Sequence, residues 1–102
     1  MRIGVVVAVA VAGLLTAAPA HANETISDLQ NSGGPFVTYL ISNGFGYLDA
    51  QRVLSDGAVA CVNDRHDVPV DLNILMLTTR AYTEDEAIAV VAAERQAVPP
   101  LC

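Results

Sequence analysis

Apolar residues recur every three or four positions through most of the chain after residue 34, a spacing typical of amphipathic helices. A first helix is predicted to begin at Pro35, because proline fits the first turn, where its missing N–H is not needed. It is predicted to end at Asn43-Gly44, a pair that tolerates left-handed backbone geometry. The apolar stripe of this helix comprises Phe36, Val37, Leu40 and Ile41.

A second helix is predicted after Asp49, which is a suitable N-cap residue. Gly57 would weaken the middle of this helix, so its place on the apolar stripe predicts a close crossing with another helix. Asp56 lies outside the stripe and is expected to be solvated. The stripe comprises Ala50, Val53, Leu54, Gly57, Ala58 and Cys61.

A third helix is predicted from Asp67 or Val68, with Pro69 in its first turn. It is apolar on most sides, and we therefore expect it to be the most buried element of the domain. Its apolar residues are Val70, Leu72, Ile74, Leu75, Met76 and Leu77.

A fourth helix is predicted by the capping box that begins at Thr83 and ends at Glu86. Ala87, Ile88, Val91 and Ala92 supply its packing face, and Pro99-Pro100 prevents its continuation. No segment shows the alternating pattern of a half-buried strand. The sequence therefore predicts an all-α domain of four short helices over residues 35–102.

The first 22 residues have the organisation of a cleaved signal peptide. Arg2 provides the positive charge, the apolar run at residues 3–15 is shorter than a membrane span, and small residues follow it. Cleavage is expected after Ala22, with Ala20 as the alternative site, and an uncleaved anchor is the competing interpretation. Residues 23–34 are polar and contain Ser32-Gly33-Gly34, which predicts a flexible N-terminal arm.

Both cysteines of the chain, Cys61 and Cys102, lie in the part that would be exported. An even number of cysteines in an oxidising compartment predicts a disulfide, and a domain of about 80 residues gains more from such a cross-link than a larger one does. A buried thiol together with a reactive thiol is the alternative, and would suit the cytosol.

Charge narrows the range of partners. All 11 acidic residues follow the leader, whereas only four arginines do, and the chain has no lysine. Such a chain cannot assemble the basic stripe that binds phosphate groups, which argues against nucleic acids and anionic membrane surfaces as partners.

The order of residues resembles a known family. A Phe36-x-x-x-Leu40 helix is followed by Gly44-Phe45, by Gly57-x-x-x-Cys61, by Tyr82-Thr83-x-x-Glu86-Ala87 and by the terminal Cys102. This arrangement is similar to domain-of-unknown-function family 732, small exported helical proteins of mycobacteria. The resemblance runs from about residue 35 to residue 102, and departs from the family at 98–102, where a Tyr-Cys pair is usual. It implies an exported helical domain, with no assigned activity and no catalytic residues to transfer.

Candidate chemistry centres on His66, the only histidine after the leader. A small hydrolase would need it to activate a nucleophile, and no serine lies in a suitable context. A metal-dependent enzyme could use Asp64, His66, Asp67 and Asp71, although their spacing matches neither a zinc nor a calcium motif. The chain has no haem attachment motif, and Met76 is better explained as a core residue than as a haem ligand. We therefore predict no cofactor and no catalytic residue.

The remaining possibility is recognition through the surface. Phe45 and Tyr47 flank a glycine in a predicted loop, where aromatic side chains commonly contact a partner. The competing interpretation is that both rings fold back to cover the core. We expect a non-catalytic binding protein of the cell envelope or extracellular space, which binds a protein or, alternatively, carries a small apolar ligand.

Overall fold

A computed structural model describes residues 24–102, and the predicted leader at 1–22 lies outside them. The described range is helical and contains no strand, which confirms the all-α prediction. None of its helices is long and apolar enough to cross a membrane. The helices are α1 (Ile26–Leu29), α2 (Gly34–Ser42), α3 (Ala50–Arg65), α4 (Val70–Thr78) and α5 (Glu84–Gln96), with a 3₁₀ turn at Gln30–Gly33 between α1 and α2.

The two longest helices, α3 and α5, begin at the side-chain caps that the sequence predicts. The carboxylate of Asp49 accepts a hydrogen bond from the backbone N–H of Arg52 at 2.8 Å, at the start of α3. At the start of α5, the hydroxyl of Thr83 accepts from the Glu86 N–H at 3.1 Å, and Glu86 Oε1 accepts from the Thr83 N–H at 2.9 Å. Each cap supplies acceptors for N–H groups that a helix leaves unpaired at its first turn.

The core lies where α2, α3 and α4 pack around α5. Gly57 of α3 lies against the ring of Phe36 on α2, where a Cβ atom at position 57 would be 2.6 Å from Cζ of Phe36. The close approach is made by a side chain, and α2 packs mainly against α5, so the close helix crossing expected at Gly57 is not found there. The largest fully buried side chains are Phe36, Ile26, Leu40, Leu77, Val37, Val53, Val90, Val91 and Asn73.

The flexible arm expected at residues 23–34 is a point of difference, because backbone hydrogen bonds and one buried side chain fix its first part to the domain. Ile26 is completely buried, and its N–H donates to the carbonyl of Leu48 at 2.9 Å. The N–H of Ala50 donates to the carbonyl of Glu24 at 2.8 Å. The arm prediction is therefore wrong for α1: the segment lines the connection between α2 and α3, and one isoleucine anchors it in the core.

Helix α4 also differs from its prediction as the most buried element. Only Asn73 and Leu77 of this helix are buried. Asn73 donates to the carbonyl of Ala60 at 2.9 Å and accepts from the side chain of Asn63 at 3.1 Å, so a buried polar residue fixes α4 against α3. The apolar residues on its other sides exceed what one narrow contact face can cover, and several face solvent.

The predicted disulfide is present between Cys61 and Cys102. Their Cα atoms are 5.8 Å apart, within the normal range for such a bridge. Cys61 is buried near the end of α3, and the segment after α5 returns to it, with Leu101 packed against the core. The bridge therefore fixes the carboxyl terminus to α3.

Candidate functional site

The most exposed large apolar side chains of a helix lie on α4. Leu72 is 51% exposed and Leu75 is 56% exposed, and because they are three positions apart they lie on the same side of the helix. Ile88 of α5 is 45% exposed, so its prediction as part of the packing face of this helix is wrong. Together with the adjoining carboxylates of Asp71 and Glu84, these residues are called the α4–α5 face below.

A shallow groove runs along this face between α4 and the start of α5. Asp71, Ile74, Leu75, Thr78 and Glu84 line it, around a cavity volume of about 340 Å³. The ion pairs within residues 24–102 involve Asp56 and Asp64, so neither carboxylate of the groove is neutralised by an arginine there. The groove consequently combines an apolar floor with negative charge at its edges.

The predicted contact loop is split between the core and the surface. Phe45 is half-buried and packs against the core, whereas Tyr47 is 59% exposed. The Tyr47 hydroxyl donates to Glu86 Oε2 at 2.5 Å, which ties the loop to the first turn of α5. This bond is the largest cause that raises the pKa of Tyr47 and lowers the pKa of Glu86. Tyr47 is thus available at the surface, and Phe45 is largely a core residue.

A buried polar network surrounds Asp56 of α3. The expectation that Asp56 is solvated is wrong, because it is only 2% exposed. Its two oxygens accept from the Tyr82 hydroxyl at 2.8 Å and from Nε of Arg80 at 2.9 Å. The guanidinium of Arg52 lies 4.0 Å from the centre of the Tyr82 ring. Burial is the main cause that raises the pKa of Tyr82, so this phenol stays protonated and serves as a hydrogen-bond donor.

A second buried carboxylate, that of Glu94 on α5, was not singled out by the sequence. Glu94 is 4% exposed and faces Asp64 of α3, whose other oxygen accepts from Arg95 at 3.1 Å. Burial, followed by the hydrogen bond that a protonated Glu94 can donate to Asp64 and by the charge of Asp64, raises the pKa of Glu94 to about 8. In the sequence, Glu94 follows the alanines and valines of α5 and belongs to no recognisable motif. Its unusual pKa depends on the contact with Asp64 of α3, which the sequence alone does not indicate.

The residues considered for catalysis or metal binding are not brought together. His66 is exposed at the end of α3, Asp67 and Asp71 are exposed beyond it, and Asp64 pairs with Arg95. Among residues 24–102, no group of three or more histidine, cysteine, aspartate or glutamate side chains could hold a metal ion. Cys61 is bonded to Cys102 and therefore offers no thiol nucleophile.

Comparison with protein-family models, with curated protein sequences and with solved structures finds no match for this chain.

Proposed function

We propose that this protein is an exported, non-catalytic binding domain that recognises a protein partner through its α4–α5 face. The exposed pair Leu72 and Leu75 is the observation that carries the proposal. Single exposed leucines are common on protein surfaces, but apolar side chains grouped beside a groove are typical of interaction sites. Because each leucine is already about half buried, its complete burial at an interface contributes about 1 kcal/mol before the costs of association.

The charge around the face narrows the chemistry of the partner. Asp71 and Glu84 lie at the edges of the groove, and the next residue, Asp85, adds a third exposed carboxylate. An acidic surface would be repelled, whereas arginine or lysine side chains could pair with these carboxylates around an apolar centre. The occupant we propose is therefore a protein segment with apolar residues flanked by basic residues.

Location outside the cytoplasm is the second part of the proposal. The Cys61–Cys102 bridge supports it, since disulfides persist in oxidising compartments. The leader pattern at 1–22 supports it further and places cleavage after Ala22. The resemblance to domain-of-unknown-function family 732 is consistent with export and adds no activity. Amino-terminal sequencing of the protein from the exported fraction tests this part: a chain that still begins at Met1 would contradict cleavage.

Site-specific photo-crosslinking tests the binding face. A photoreactive amino acid is placed at Leu75, at Ile88 or at the control position Gln51, which is exposed on α3. Crosslinking is done in the producing cell, and the joined peptide is sequenced. We expect the same adduct from Leu75 and Ile88 and none from Gln51, with basic residues on both sides of the joined apolar segment.

Competition provides the control for specificity. An excess of the unlabelled protein should abolish the adduct, whereas an excess of the Leu75→Asp variant should not. Equal labelling from Gln51, or no adduct from either face position, would contradict the proposal. An adduct with a second copy of this chain would replace the basic partner with self-association.

A further inference from the structure

The seam between α3 and α5 contains two carboxyl groups that face each other. Glu94 is only 4% exposed, and the side chain of Asp64 is 16% exposed. One oxygen of each group, Oδ2 of Asp64 and Oε2 of Glu94, is buried without a hydrogen-bond donor among the described residues. Buried polar atoms are normally paired, so two facing orphan acceptors indicate a missing hydrogen.

The charged surroundings do not balance two ionised carboxylates. Arg95 of α5 donates to Oδ1 of Asp64 at 3.1 Å, which leaves the Glu94 carboxyl without an ion pair. Arg65 of α3 lines the same pocket but forms no ion pair with Glu94, and α2 has no charged residue. Beyond α5 the pocket is lined by Ala97 and Pro100, which are uncharged.

We propose that Asp64 and Glu94 form a proton-binding site in which one shared proton fastens α3 to α5, and that its release loosens the carboxyl-terminal segment around the disulfide. In the protonated state, the Glu94 hydroxyl donates to the Asp64 carboxylate, and Arg95 balances the single negative charge. Loss of the proton leaves two negative charges in contact with one arginine, at a place that water reaches poorly.

The position of the pair gives the proton a structural effect. The pocket beside it is lined by Cys61, by Ala97 and by Pro100, so the carboxyls lie next to the disulfide and to the chain that follows α5. The segment that follows α5 is the part beside the two carboxylates that lies outside any helix, so we expect their repulsion to be relieved by movement of this segment. The site therefore links proton release to access to the Cys61–Cys102 bridge.

Carboxyl titration by ¹³C NMR tests the site directly. In the purified protein, we expect the Glu94 carboxyl to titrate far above the ordinary range of a glutamate side chain. In the Asp64→Asn variant, loss of the facing charge should lower the Glu94 midpoint by at least about one pH unit, a tenfold change in proton affinity. A Glu94 midpoint within the ordinary range, or one unaffected by Asp64→Asn, would overturn the proposal.

Reduction of the disulfide by a phosphine tests the structural effect. The comparison variant is Glu94→Gln, which keeps the shape of the neutral acid. We expect the ratio of the wild-type reduction rate to the variant's reduction rate to rise about threefold or more as the pH passes through the Glu94 midpoint. The Glu84→Gln control should show the same pH dependence as the wild type. A constant ratio would show that the proton does not govern access to the bridge, and would overturn this part of the inference.

Discussion

The hydroxyl of Tyr82 donates to the buried carboxylate of Asp56 at 2.8 Å, across 26 positions of sequence. This contact joins the loop before α5 to the middle of α3. Asp56 also accepts a bond from Arg80 and is only 2% exposed, so the carboxylate depends mainly on these two partners. Removal of either donor leaves a buried charge only partly compensated.

Tyr82→Phe should therefore destabilise the protein although it removes a single oxygen atom. We expect the free energy of unfolding to fall by about 1.5–3 kcal/mol, the range for hydrogen bonds to buried charged groups. Tyr47→Phe is the matched control, because it removes the same atom from an exposed bond to Glu86 and should cost less than about 1 kcal/mol. Urea unfolding of both variants measures the difference, and equal losses would contradict the role of Asp56.

Gly57→Ala tests the close packing of the Phe36 ring against α3. Alanine improves helix propensity by up to about 1 kcal/mol, but its Cβ would meet the buried ring of Phe36. Overpacking of this kind costs about 1–3 kcal/mol, so we expect net destabilisation. In a Phe36→Leu background the contact with the ring is removed and only Cδ2 of Leu101, at 3.1 Å, remains close, so Gly57→Ala should be less destabilising there. An equal loss in both backgrounds, by urea unfolding, would contradict this interpretation.

The disulfide should supply a large share of the stability. The bridge joins residues separated by 41 positions, and the chain-entropy model gives about 4 kcal/mol for a loop of this size. Cys61→Ser and Cys102→Ser should each cause a similar loss, and the double variant should lose little more than either. Thermal unfolding measures these losses. Two alkylatable thiols in the protein from the exported fraction would show that the bridge does not form there.

Tyr47→Ala separates a contact role from a core role. Since Tyr47 is 59% exposed, its truncation should change the melting temperature by less than about 4 °C. If the loop contributes to recognition, the crosslinking yield from Leu75 should nevertheless fall. A large fall in the melting temperature would place Tyr47 among the stabilising residues instead. An unchanged yield would remove it from the binding surface.

Glu86 and Glu94 should give opposite slopes to the dependence of the unfolding free energy on pH. The raised pKa of Glu94 means that its contribution is present below about pH 4.5 and is lost progressively up to about pH 8, with a slope of at most about 1.4 kcal/mol per pH unit. The lowered pKa of Glu86 means that its contribution is present above its ordinary value and is lost in stronger acid. Urea unfolding across this range should show that Glu94→Gln flattens only the limb between about pH 4.5 and pH 8. An unaltered limb would contradict the assignment.

Local signals predicted the starts of α3 and α5 well, whereas α4 begins at Val70, with Pro69 as its N-cap and not in its first turn. The caps at Asp49 and Thr83 act within one turn of backbone, so the sequence contains all the groups that they need. The glycine at position 57 and the two cysteines were also informative, because each residue type has few structural roles. These features account for the agreement between the predicted helices and α2–α5.

Burial set by distant contacts could not be predicted in the same way. Ile26 becomes a core residue only because the connection before α3 folds over it, and no periodic pattern surrounds it. Asp56 and Glu94 are buried by partners 26 and 30 positions away, respectively. The exposure of Leu72 and Leu75 has the same origin. The hydrogen bonds of the buried Asn73 to α3 set the orientation of α4, and this orientation decides which of its apolar residues are buried.

The bridge between Cys61 and Cys102 also closes residues 61–102 into a covalent ring that contains all of α4 and α5. A protease that cuts one exposed peptide bond in the α4–α5 connection opens this ring but releases no fragment. Both ends of the cut remain attached to α3, one through the backbone and the other through sulfur. The lifetime of the intact assembly in the presence of proteases is therefore governed by cuts on the amino-terminal side of Cys61, by two cuts within the ring, or by reduction.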